Sequence, residues 1–156
     1  MPTKALKDFL DREGVKYVTI SHSTAYTAQE VAASAHIKGK ELAKTVMIKL
    51  DGAMAMAVCS ASCRIDFEML REAMSVQEAD LAEEKEFKDL FPGCEIGAMP
   101  PFGNLYNLPV YVFDELSRDE EIAFNSGTHR ELVKLAYADF ERLVKPIKVT
   151  WFRKSH

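Results

Sequence analysis

This chain has no apolar run approaching the ~20 residues that a membrane-crossing helix needs. Its opening stretch carries Lys4, Lys7, Asp8, Asp11, Arg12 and Glu13 where a signal peptide would have an apolar centre. The expected compartment is the cytoplasm, with no membrane partner. Cysteine is scarce: Cys59, Cys63 and Cys94 form an odd set, which argues against a disulfide framework of the secreted kind and leaves reduced thiols as the simpler reading. Positive charge is also in short supply. Twenty Lys and Arg stand against twenty-four Asp and Glu, a formal net charge of −4, which argues against DNA binding through the duplex phosphates while leaving a local basic site open. No metal set is evident either, because Cys59 and Cys63 have three residues between them, His22 and His36 thirteen, and no second close pair completes a tetrahedron. Cys59 sits in an apolar stretch and reads as a small core hydrophobe. The expectation is no metal and no cofactor. A Ser/His/Asp order and a pair of catalytic carboxylates are likewise missing.

The 156 residues are 47% hydrophobic and 28% charged, enough apolar material for one core, and residues 1–156 are expected to form a single domain. Leu6, Phe9 and Leu10 share one face of a helix over Thr3 to Glu13, ended by Gly14. Val15 to Ser21 reads as a strand. Thr27 and Glu30 have the spacing of a capping box, which predicts a helix from Ala28 to about His36, broken at Gly39. Lys44–Leu50 and Ala53–Cys59 flank Asp51-Gly52, the dipeptide of a tight hairpin. Helices are expected over Asp66–Met74, with Phe67, Leu70 and Met74 inward, and over Glu83–Phe91, with Phe87, Leu90 and Phe91 inward. Leu108–Phe113 and Ile122–Asn125 read as strands separated by a solvated acidic turn. Glu131 to Lys145 fits both periods; we read strand to Tyr137 and then helix to Val144. Such irregular interleaving favours a mixed α+β sheet over a doubly wound parallel one.

Three stretches could carry chemistry. Gly97-Ala98-Met99-Pro100-Pro101-Phe102-Gly103 has glycines that let backbone amides approach a ligand and prolines that hold its path, which suits a carboxyl or ester oxygen; it would serve equally as a rigid connection. Asn125-Ser126-Gly127-Thr128-His129 sets an imidazole among hydrogen-bonding groups, or else is an exposed turn. Lys38, Lys40, Lys44 and Lys49 make the most basic stretch of the chain. Lys44 begins an apolar strand, its ammonium either aimed at an anion such as a phosphate or merely snorkelling to solvent.

These stretches, together with His22-Ser23-Thr24-Ala25-Tyr26-Thr27 ahead of the capped helix and Ala43-Lys44-Thr45-Val46 ahead of the hairpin, occur in one order. In that order the chain resembles the YbaK-like aminoacyl-tRNA deacylases, which include the editing domain of bacterial prolyl-tRNA synthetases. The loop keeps that family's G-x-x-x-P-x-G spacing, and the likeness runs from Ser21 to Val144. The resemblance implies an α+β domain with a central mixed, partly barrel-like sheet flanked by helices. It also implies trans-editing hydrolysis of the ester joining a wrong small amino acid (alanine, serine, threonine or cysteine) to the tRNA 3′ end, with an aminoacyl-tRNA synthetase as a further possible partner. By the same resemblance Lys44 engages the terminal adenosine phosphate, and the loop of Gly97, Pro101 and Gly103 holds the ester. His129 shapes the amino-acid pocket, and His22, Tyr26, Thr45, Asn125 and Gly127 join the substrate-binding set. Catalysis is then substrate-assisted, with a ribose hydroxyl rather than a protein base placing the water. The same fold could also hold a charged end without turning it over, as a regulatory binding module.

Overall fold

The computed structural model describes residues 2–21, 41–61, 63–91, 93–95 and 97–149. The expected Ala28–His36 helix, Gly39, His22 and Tyr26 lie outside the described residues. Helix α1 (Pro2–Arg12) buries Leu6 and Leu10 completely. It ends in a Schellman turn: Gly14 takes φ +69°, the Val15 amide donates to the Leu10 carbonyl at 3.0 Å, and the Gly14 amide donates to Asp11 at 3.1 Å.

Strand β1 (Tyr17–Ser21) follows. The hairpin forms as expected, with β2 (Ala43–Leu50) and β3 (Ala53–Ser60) antiparallel and Asp51 and Gly52 at φ 49° and 84°, both in the left-handed region a tight turn requires. Helix α2 (Phe67–Met74) is capped by the Asp66 carboxylate, which accepts from the Glu68 and Met69 amides at 3.0 and 3.1 Å. After it come β4 (Ala79–Leu81), α3 (Glu84–Phe87), β5 (Val110–Phe113), β6 (Glu121–Asn125), β7 (Glu131–Ala136), α4 (Tyr137–Val144) and β8 (Ile147–Val149). The ambiguous stretch therefore resolves as read, a strand running directly into a helix.

Two sheets result among the described residues. One is antiparallel in the order β1-β7-β6; the other is mixed, in the order β4-β2-β3-β5-β8, with β3, β5 and β8 parallel. They are joined, without closing into a barrel, by a parallel bridge from Leu42 to Ala123 and a 3.0 Å bond from the Ala123 amide to the Glu41 carbonyl. Strand β3 is apolar from Ala53 to Cys59, and from Ala55 onward both its faces are covered. Met56 and Val58 face a core shared with Ile122, Phe124, Val133, Leu135, Phe102 and Phe140, whereas Ala55, Ala57 and Cys59 face a second core beneath Leu70 of α2.

Four details depart from expectation. The helix expected over Glu83–Phe91 stops at Phe87, and Leu90 is 41% exposed; Phe87 and Phe91 supply the buried contact and meet edge-on at 6.4 Å, so Leu90 is left outside it. The acidic turn before β6 is not wholly solvated, since Leu116 is fully buried within a 3₁₀ turn. Strand β4 was not anticipated: the Asp51 carboxylate accepts from the Gln77 and Glu78 amides at 2.9 and 2.8 Å and lays that short polar segment along β2. Strand β8 was missed too, being only three residues long after the left-handed Lys145.

Candidate functional site

Lys44 lies on β2 in register with Cys59 of β3, on the face covered by α2. Its stem is half buried, and its ammonium donates to the Cys63 carbonyl at 2.6 Å. No carboxylate among the described residues pairs with it. Among the described residues the charge is thus placed by a neutral acceptor and meets no carboxylate, an arrangement that suits an anion. Thr45, the next residue, is half buried.

The two loops picked out in the sequence come together. A Cβ built on Gly97 would stand 3.5 Å from His129 Cε1, and Gly97 holds φ +87°. His129 is only 6% exposed, which sets aside the exposed-turn reading of that residue. Glu95 fixes this approach from two directions: its carboxylate accepts from the His129 amide at 2.6 Å, and its own amide donates to the Gly127 carbonyl at 2.8 Å. The Gly97 amide points to the Met99 sulfur at 3.3 Å, a weak acceptor that a ligand oxygen can better. The turn is braced from behind by Ser126, whose hydroxyl donates to Glu131 at 2.8 Å, and Glu131 in turn pairs with Lys7 of α1 at 3.0 Å.

The far end of the first loop is anchored in the core. Phe102 is fully buried, with its ring 5.4 Å from Phe124, 5.6 Å from Phe140 and 6.2 Å from Phe9. Pro101 is buried beside it. Gly103 accepts from the Tyr106 and Leu108 amides, each at 2.9 Å, and a Cβ there would lie 2.6 Å from both the Leu108 carbonyl oxygen and Val110 Cγ2. Glycine is needed at this position for packing, whatever else the loop does.

Lys44 shares no hydrogen bond with either loop among the described residues, but the topology relates it to one of them. The Leu42–Ala123 bridge is parallel, so Lys44 and Asn125 each stand two residues beyond it on strands leaving in the same direction. Asn125 Oδ1 is buried without a hydrogen-bond partner among the described residues, an arrangement that costs about 1–3 kcal/mol where an acceptor is left unsatisfied. A ligand N–H or O–H would remove that cost.

Sequence reasoning missed Glu95, Phe102 and Cys63. Glu95 had only its place two residues before Gly97 as a signal, and Cys63 acts on Lys44 through its backbone, which no residue type announces. The Cys63 thiol is held below its usual range because the Cys59 thiol donates to it; burial opposes this and Lys44 assists it. Cys59 is correspondingly pushed well up, by that hydrogen bond first and by burial second.

Comparison with known proteins places this arrangement. The aminoacyl-tRNA editing domain family matches residues 22–143. The multifunctional Ser/Thr-tRNA deacylase ProXp-y of Escherichia coli K12 is 31% identical over 155 residues, covering 94% of this chain and 90% of that relative. Among solved structures, a candidate trans-editing enzyme for prolyl tRNA synthetase superposes with a TM-score of 0.80 at 21% identity, covering 99% of this chain and 98% of the other. The order of motifs, the α+β architecture and the extent of both matches agree: this chain belongs to the aminoacyl-tRNA editing domain family.

Proposed function

We infer that this chain, acting over residues 1–156 as one editing domain, hydrolyses the ester between a small wrong amino acid and the tRNA 3′ end. The observation that supports this most directly is the pinned meeting of Gly97 and His129: an exposed glycine of positive φ beside a buried imidazole. In this reading the Gly97 amide exchanges the Met99 sulfur for the ester oxygen as negative charge develops there. A preorganised donor of this kind contributes about 2.7–4 kcal/mol to a rate. Pro101 and the packed Gly103 hold the amide on station, and the His129 ring forms the far wall of the amino-acid pocket.

Lys44 and Thr45 receive the terminal phosphate, and Asn125 Oδ1 accepts from the α-ammonium or side-chain hydroxyl of the aminoacyl group; Gly127, His22 and Tyr26 complete the substrate set. An aminoacyl ester is already activated, so the reaction is assigned to substrate assistance by a ribose hydroxyl, without a metal. The Ser/Thr-tRNA deacylase named above supports serine and threonine as members of the accepted set with alanine and cysteine, and pocket size sorts them from larger residues. The substrate is made in the cytoplasm, where we place the protein, and an aminoacyl-tRNA synthetase would be the partner that hands it over.

The test is a panel of tRNAs charged with alanine, serine, threonine, cysteine and bulkier residues, read as kcat/KM. Turnover of at least one small aminoacyl-tRNA, retained in EDTA, is the expected result. Tight binding of charged tRNA with the ester left intact would establish the regulatory binding module instead.

A further inference from the structure

We propose that Cys63 is a hydroperoxide-sensitive thiol resolved by Cys59, so that oxidation closes a Cys59–Cys63 disulfide directly beneath Lys44. Three groups of different chemistry meet there. Cys59, in register with Lys44, is wholly buried in the core under α2. Cys63 is half buried, at a point where the chain has doubled back: the Ala61 amide donates to the Leu42 carbonyl at 2.8 Å and the Cys63 amide to the Ser60 carbonyl at 3.0 Å. The Lys44 ammonium rests on the Cys63 carbonyl at 2.6 Å. A half-buried thiol, a sheltered partner thiol and a fixed cation form the environment in which a thiol is oxidised selectively.

The electrostatics agree with the geometry. The hydrogen bond from Cys59 favours the Cys63 thiolate, as does Lys44, while burial and Glu115 act against it. Cys94 differs, because burial pushes its thiol up and its sulfur lies 3.9 Å from the Tyr106 hydroxyl, with no second cysteine beside it among the described residues. It serves as an internal control.

The chemistry balances with a hydroperoxide as the oxidant. The Cys63 thiolate attacks the O–O bond; an S–O bond forms, the O–O bond breaks, and the departing oxygen takes a proton to leave as an alcohol, or as water from hydrogen peroxide. The Cys59 sulfur then attacks the sulfenic sulfur; the S–S bond forms, the S–O bond breaks, and the hydroxide leaves as water with the Cys59 proton. Two thiols lose two electrons and the hydroperoxide gains them. Drawing the Cys63 sulfur to within bonding distance of β3 shifts the carbonyl on which Lys44 rests, so the phosphate site is disturbed. This last consequence rests on the reading of Lys44 under Proposed function; the disulfide does not.

The experiment treats the full chain with hydrogen peroxide, alkylates it, and follows intact mass, non-reducing peptide maps and deacylation. A linked Cys59–Cys63 peptide and a mass loss of about 2 Da are expected, with Cys94 still alkylated. Turnover should fall roughly tenfold, the scale of a charged hydrogen bond, and return with dithiothreitol. Cys63→Ser should make both changes disappear. In Cys59→Ala no crosslink should form; Cys63 also loses the hydrogen bond that favours its thiolate and should react more slowly, but the part that is oxidised should pass on to the sulfinic acid, a gain of about 32 Da that dithiothreitol does not reverse. A folded protein whose Cys63 stays reduced, or whose first crosslink involves Cys94, overturns the proposal. A disulfide that leaves turnover unchanged overturns its link to Lys44. If the untreated protein shows no deacylation, the functional reading fails while the mass measurement still decides the disulfide.

Discussion

Glu95 is the most informative side chain to change, because it holds both halves of the site without being placed against substrate. Its carboxylate accepts from the His129 amide at 2.6 Å while its amide donates to Gly127 at 2.8 Å; only the first bond depends on the side chain. A hydrogen bond to a charged acceptor contributes about 1.5–3 kcal/mol, and Glu95 is exposed enough for water to replace part of it, so Glu95→Ala should lose about 1.5 kcal/mol. For a chain of this size that is a Tm shift of about 3–6 °C. Glu95→Gln keeps an acceptor of roughly half the strength and should lose about half as much. The functional effect is a loosened His129 wall. The kcat/KM ratio between alanyl and bulkier aminoacyl-tRNA should narrow about fivefold in Glu95→Ala and less in Glu95→Gln, since a pocket of this kind discriminates a methylene by ~1–3 kcal/mol in all. His129→Ala should narrow the ratio at least as far, and Glu95→Ala added to it should narrow it little more, because both act on one wall. A Glu95→Ala protein with the expected Tm loss and an unchanged ratio, or two variants whose effects on the ratio simply add, would refute the assignment.

Lys44→Ala removes a half-buried stem and an ammonium from the rim without emptying the core; kcat/KM should fall about 10–100-fold with little change in the far-UV spectrum or Tm, from the ~1.5–3 kcal/mol of a charged contact. Gly103→Ala should be unstable even where the aminoacyl group is irrelevant, because its Cβ meets the Leu108 carbonyl at 2.6 Å; circular dichroism melting checks this, and an unshifted Tm would show that the turn yields freely. Among the described residues Gly97→Ala meets only the His129 ring, Cε1 at 3.5 Å and Nε2 at 3.8 Å, so beyond the strain of its positive φ, about 1–3 kcal/mol, the defect should appear in kcat. Charged tRNA lacking the terminal 2′-hydroxyl should be cleaved far more slowly; a normal rate on it would point back to a protein base, with His129 the first to change.

What the sequence discloses and what it conceals follow from the range of the interactions involved. The α1 stop at Gly14, the Asp51-Gly52 hairpin and the strand-to-helix junction at Tyr137 are set within a few residues by backbone torsions and side-chain period, and all three were legible. Strand β4 was not, because Ala79, Asp80 and Leu81 become a strand only when Asp51, far off in the chain, accepts their neighbours' amides. The same division runs through the site. Gly97 and His129 stand out as residue types, yet what brings them together is Glu95, and what positions Lys44 is a main-chain carbonyl. Gly103 shows the converse: a glycine that motif reasoning assigns to chemistry also has a steric reason to be glycine, visible only once Leu108 and Val110 are in place. Residues whose own chemistry touches a ligand can be read from type and spacing. Those that hold them in position use ordinary carboxylates, carbonyls and aromatic rings, and only contacts distinguish these from the many that do nothing of the kind. Substitutions at Glu95 and Cys63 therefore test what the structure adds, whereas Lys44 and His129 test what the sequence already contained.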